Sequence, residues 1–195
     1  MAISLAKGQK VDLTKGQPGL QTIMVGLGWD EADSGDEDID CDAACVLLDE
    51  NDKVISQDID ECCVYFANES LYGIEHGGDN LTGEGEGDDE VIEINLSKIP
   101  SNVHKIVVFM NIFGAESRDQ SFADLKNSFI RLCNSKNNNE EICRFEMNDV
   151  NPSATALIAG AIYRYNGEWK FGAIGEALEA CSYTEDVISR YGFED

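Results

Sequence analysis

Between Asp30 and Glu90 the chain carries 22 acidic residues and a single base, Lys53. Like charge at that density cannot be packed into an apolar core, so this third of the chain must face water or fold around cations. The other 134 residues hold 16 acids and 13 bases, so nearly all of the net charge of −24 lies in one segment. Its densest part is GGDNLTGEGEGDDE (77–90), with five glycines, six carboxylates and no base. A surface of this sign repels nucleic acid and anionic lipid and attracts cations.

The same segment also supplies strands. TIMVGLGW (22–29), AACVLL (43–48), CCVYF (62–66), VIEINL (91–96) and KIVVFMNIF (105–113) are short and rich in β-branched or aromatic residues. Each is bounded by Gly, Asn, Asp or Pro, the punctuation of strands. SFIRLC (128–133), EICRFEM (141–147), ALIAGAIYRY (156–165) and EWKFGAIG (168–175) continue the pattern, with Asn166-Gly167 as a tight hairpin turn between the last two. Helical periodicity is weak. A short turn near 121–127 and a last segment at 184–191, with Thr184 as its cap, are the helical candidates. The expectation is a mainly β fold: a sandwich of two antiparallel-rich sheets with one or two short helices. With no internal repeat and no linker, 1–195 reads as a single domain.

The acids sit where strands begin. DEDIDCD (36–42) runs directly into AACVLL. At a period of two, Asp36, Asp38, Asp40 and Asp42 share one face, and Ile39, Cys41, Ala43 and Cys45 the other. GEGEGDDE (83–90) runs directly into VIEINL, with Gly83, Gly85 and Gly87 alternating with Glu84, Glu86 and Asp88. Two acid-loaded entries meeting at one end of a sandwich would repel strongly. Two carboxylates ~4 Å apart cost about 4 kcal/mol at an effective dielectric near 20. They must splay into water, or be neutralised by protons or metal ions.

Calcium suits the donor set: oxygen ligands, loose geometry, and glycines that can turn carbonyls toward an ion. Asp79 and Asn80 add side-chain oxygens in a turn. Magnesium wants a stricter octahedron, and transition metals want the His or Cys that these segments lack apart from Cys41. The EF-hand template fails, because counting from Asp38 puts Ala43 where Gly is required and Asp49 where Glu is required. GEGEGD lacks the Lys-Ser/Thr ending of a phosphate loop, and its acids oppose phosphate. His76 and His104 have no Ser or Cys at suggestive spacing, so they read as surface or turn-stabilising imidazoles. Trp29 reads as core at a strand end, and Arg118 and Arg131 as surface or strand-edge charges.

KGQKVDLTK, VGLGWD, DIDCDAACVLL, HGGDNLTGEGEGDDE, SFIRL and GEWKFGAIGEA together resemble the TerD family of tellurium-resistance and stress proteins. The resemblance implies a calcium-binding β-sandwich with about two ions at one end. It implies ligands among Asp38, Asp40 and Asp42 in the first segment. In the second it implies Asp79, Asn80, Glu84, Glu86, Asp88, Asp89 and Glu90, with carbonyls of Gly83 and Gly85 available. Asp30, closing GLGWD, is a further candidate. Cys41 and Cys45 depart from the small or aliphatic residues expected there, and by alternation both face away from Asp40 and Asp42. The family is associated with resistance to tellurite, other stresses, phage and colicins, with other Ter proteins as partners, membrane-bound ones among them. No enzymatic activity is implied.

The seven cysteines are odd in number and include no CxxC pair, which fits free thiols in a reducing compartment. No apolar run approaches the roughly 20 residues that span a bilayer, and the N-terminus lacks a basic start followed by an apolar stretch. The expected location is the cytoplasm, without membrane insertion. The leading expectation is a calcium-dependent interaction module. Two alternatives stand beside it: a metal-dependent hydrolase using the same acids, and a handler of tellurium oxyanions through its thiols, which the negative charge opposes.

Overall fold

A computed structural model describes residues 2–17, 19–31, 39–78, 87–147 and 151–194. In chain order the strands are β1 (Ile3–Leu5), β2 (Lys10–Asp12), β3 (Thr22–Glu31), β4 (Cys41–Leu48), β5 (Cys63–Val64), β6 (Ser70–Leu71) and β7 (Ile74–His76). They continue as β8 (Glu90–Asn95), β9 (Lys105–Ile112), β10 (Leu125–Asn134), β11 (Glu140–Glu146), β12 (Ala156–Tyr165) and β13 (Glu168–Leu178). Among the described residues helix is confined to α1 (Ile59–Cys62), α2 (Ala115–Arg118), α3 (Thr184–Ile188) and two single 3₁₀ turns.

The strands form two sheets, one of seven in the order β1-β11-β10-β3-β8-β7-β6 and one of six in the order β2-β13-β12-β9-β4-β5. Pairing is antiparallel except for β1 on β11, which is parallel. This is the β-sandwich expected from sequence, and each of the nine strands read there has its counterpart. The hairpin turn is also in place, with Asn166 and Gly167 both at positive φ (52° and 80°) between the paired Tyr165 and Glu168.

Alternation builds the core. On β3, Ile23, Val25, Leu27 and Trp29 point between the sheets, while Gly26, Gly28 and Asp30 lie on the outer face. They meet Leu47, Ile106, Val108 and Phe171 of the second sheet and Ile74, Ile92 and Ile94 of their own. The second sheet has apolar residues on both faces. Val46, Leu48, Val107, Phe109 and Ile158 form an outer layer covered by Val187, Ile188 and Phe193 of the C-terminal segment. That is why AACVLL is apolar throughout. The cap of α3 differs from expectation. Thr184 lies buried inside the helix, and Asp186 closes the end by accepting from the backbone N–H of Ser182 and Tyr183, each at 2.9 Å.

Candidate metal centre

The two acidic segments enter the sandwich side by side. β4 pairs with β9 along its whole length, from Cys41↔Ile112 to Leu48↔Lys105, but β5 covers it at Cys45 and Val46. Ala43 lies before that cover, so its backbone polar groups need other partners. Side chains of the opposite sheet supply them. Glu90 Oε2, at the start of β8, accepts from Ala43 N–H at 2.6 Å. His76 Nε2, at the end of β7, lies 3.0 Å from Ala43 C=O and 3.3 Å from Glu90 Oε2. Gly78 N–H donates to His76 Nδ1, which leaves the ring proton on Nε2, facing the carbonyl. Glu90 is 2% exposed and His76 7%. A buried histidine and carboxylate thus close the seam between the sheets; His76 is not a surface imidazole, though its Nδ1 does hold the turn at Gly78.

Three consecutive acids fan out from this point. Glu90 turns into the seam. Asp89 Oδ2 accepts from Trp29 N–H at 2.7 Å, while Asp89 N–H donates to Leu27 C=O and extends the β3–β8 ladder. Burial pushes the Asp89 carboxyl up to about 6, with Trp29 N–H opposing and Asp30, Asp88 and Glu90 adding to the rise. Asp88 turns to the outer face of the first sheet, where Arg131 on β10 grips it with Nε at 2.7 Å and Nη2 at 2.8 Å. Gly26 makes room for it: a Cβ there would stand 2.3 Å from the Asp88 carboxylate. A Cβ on Gly28 would meet the Phe129 ring at 2.4 Å. The two glycines of VGLG are therefore set by close approach. Asp30 accepts from Asn127 Nδ2 at 2.6 Å.

The first segment arrives from the other sheet. Asp42 is 4% exposed and pairs in register with Asn111 of β9, which is fully buried. The Asn111 side-chain amide, oxygen and nitrogen alike, has no hydrogen-bond partner among the described residues. Asp40 C=O accepts from Phe113 N–H at 2.8 Å. Cys41 lies between, facing the core. Its thiol is raised well above the usual range, first by burial and then by Glu90, Asp42, Asp40 and Asp89. Carboxylates from both segments therefore bear on one buried atom. Asp30 and Asp88 bear in turn on Asp89.

The TerD domain model matches residues 1–181. Stress response protein SCP2 of Bacillus subtilis is 44% identical, covering 98% of this chain and 100% of that one. Tellurium resistance protein TerD of Serratia marcescens is 41% identical over 98% of each. The chain belongs to the TerD family. The fold agrees with a solved TerD homologue from Streptomyces coelicolor, at a TM-score of 0.68 and 18% identity over 86% of this chain and 98% of that one.

For this TerD-family chain, the residues singled out in the sequence divide into two groups. Asp30, Asp40, Asp42, Asp88, Asp89 and Glu90 are brought to one end of the molecule. Asp38, Asp79, Asn80, Gly83, Glu84, Gly85 and Glu86 lie outside the described residues. Among the described residues no three His, Cys, Asp or Glu side chains come together tightly enough to hold a metal ion. Sequence reasoning missed His76, Asn111 and the grip of Arg131 on Asp88. Arg131 was within reach, since it lies in the SFIRL motif as a lone cation between apolar residues. All seven cysteines are buried free thiols. No helix of the described chain is long and apolar enough to cross a membrane.

Proposed function

We propose that this chain is a calcium-binding, non-enzymatic protein of tellurium resistance and the general stress response, working in the cytoplasm as a calcium-dependent interaction module. The observation that carries the reading is the junction of the two acidic segments, where Glu90 accepts from the N–H of Ala43, next to Asp42, at 2.6 Å. The donor set fits calcium: it is hard oxygen throughout, and Asp42 sits beside a buried amide, Asn111, that lacks protein partners among the described residues. Asp40, Asp42 and Asp89 would hold ions together with Asp38, Asp79, Asn80, Glu84 and Glu86. The carbonyls of Gly83 and Gly85 would add further oxygens, and Asp30 and Glu90 are the remaining candidate ligands, Glu90 from its buried place in the seam. Asp88 joins it only by leaving Arg131. Bound calcium would supply the positive charge that lets these carboxylates lie close together. About two ions would be held, as the family resemblance implies.

The chain's own part is positional. Glu90 and His76 fix the entry of β4 against β8, and Arg131 fixes the exit of the acidic segment through Asp88. The names of the relatives, a tellurium resistance protein and stress response proteins, support the cellular role. Other Ter proteins, membrane-bound ones included, are the proposed partners, reading a surface whose charge the ions change.

Thermal melting tests the reading. Ions that bind the folded chain stabilise it by mass action, by ~2.7 kcal/mol at 100-fold excess over Kd. For a chain of this size that raises the melting temperature by about 5–10 °C in calcium over chelator. Magnesium gives a smaller rise, and Asp40→Asn removes far more of the calcium effect than Glu185→Gln, which lies outside both segments. Coincident curves in chelator and millimolar calcium would refute calcium binding. Growth on tellurite tests the cellular role: this chain should replace a resident TerD protein, and its Asp40→Asn form should not.

A further inference from the structure

At the end of the second sheet remote from Asp40 and Asp42, three lysines gather. Asn111 and Lys105 lie toward opposite ends of β9, six residues apart, or ~20 Å at the rise of a strand. The C-terminal segment covers the outer face of this sheet around Phe109 and Leu48. Beyond that cover a groove of about 410 Å³ opens, lined by Lys7, Lys10, Lys105, Tyr163, Gly172 and Ile174, with the buried Ala161 in its floor. Its lining is mainly apolar between the lysines. Three of the chain's 14 basic residues converge here, in a molecule of net charge −24.

The lysines are not all spent on neighbours. Lys105 pairs with Asp52, but among the described residues no carboxylate lies within ion-pair distance of Lys7 or Lys10. Lys7 Nζ donates to Gly175 C=O at 2.8 Å, which leaves its charge uncompensated. Lys10 Nζ stands 5.8 Å from the centre of the Tyr163 ring. Gly172 gives the groove its depth. It sits inside β13, where glycine costs stability, and neither conformation nor crowding demands it. Its φ is not in the left-handed region, and an added Cβ would rest at ordinary contact, 3.6 Å from Lys10 Cγ and 3.7 Å from Tyr163 Cε1. Gly160, by contrast, could not carry a Cβ, which would fall 2.5 Å from the Phe171 ring.

We infer that this groove binds a small planar aromatic anion, its ring on the floor beside Tyr163 and its carboxylate or other acidic group between Lys7, Lys10 and Lys105. The volume is that of a small-ligand site, and an apolar floor with a few cations at the rim selects for an apolar body with one charged end. The carboxylates close by are paired, Asp52 with Lys105 and Asp12 with Lys170, and Asp40 and Asp42 lie well beyond the screening length of ~8 Å at physiological salt. The site is independent of calcium.

The test is titration of the full chain with 2-naphthoate, and with 2-naphthamide as its neutral counterpart, followed by calorimetry and by backbone amide NMR shifts. Saturable naphthoate binding is expected, with shifts at Gly8, Gly172 and Ile174. Naphthamide should bind at least ~10-fold more weakly. Lys10→Gln, an exposed change that leaves the fold intact, should weaken naphthoate about 3-fold, the worth of one exposed ion pair. Gly172→Leu fills the groove and should abolish binding, with melting confirming that the variant folds. The inference is overturned if naphthoate does not saturate, if naphthamide binds equally well, if the shifts map elsewhere, or if Lys10→Gln leaves the affinity unchanged.

Discussion

Asp88, Asp89 and Glu90 are neighbours in sequence and take three different partners: a guanidinium, a backbone N–H of their own sheet, and a backbone N–H of the opposite sheet. Which acid turns which way depends on the gap at Gly26 and on the bare edge of β4 at Ala43. Neither can be seen in a run of acids, and so the sequence groups all three as ion ligands. The seam is the costly part to disturb. Glu90→Ala leaves the Ala43 N–H buried without its acceptor, a loss of about 2–3 kcal/mol. Melting in chelator should fall by about 5–10 °C. Glu90→Gln keeps an acceptor and should fall less. Gly26→Ala drives a methyl into the Asp88 carboxylate and should break its bond to Arg131. Overpacking of this kind costs about 1–3 kcal/mol, and the broken pair should show as a changed Arg131 Nε–H signal by NMR.

The sequence made the longer strands plain because each spans several residues of alternation or a continuous apolar run. β1, β2, β6 and β7 are two or three residues long, too short to show a period, and they exist because a longer neighbour offers them an edge. The seam histidine sits on one of these, β7, which is why it read as a turn residue. The C-terminal segment is the element with the clearest separate role. It lies beyond the TerD match, which ends at residue 181, yet it covers Val46, Leu48, Val107 and Phe109. Removing residues 182–195 should expose that layer, giving strong binding of a hydrophobic dye and aggregation, with the melting transition lowered or lost. The milder Asp186→Ala removes the helix cap and should cost about 1 kcal/mol.

A cluster of acids stands at one end of the molecule, and a lysine-rimmed groove lies on the far part of the second sheet. The sandwich and its acid-bearing end follow from the sequence because both rest on local pattern: alternation for the strands, and acids placed where strands begin. The convergence of those entries does not follow from pattern. It depends on the strand order that sets β4 and β8 on facing sheets at the same end. If that convergence makes a shared cation site, neither segment can hold ions alone. Calcium titrated calorimetrically into chelator-treated protein tests this directly, with Asp42→Asn altering one segment and Glu84→Gln the other. The expected result is uptake of about two ions, each substitution weakening binding at least ~10-fold. Absence of binding heat, or wild-type affinity in either variant, would contradict it.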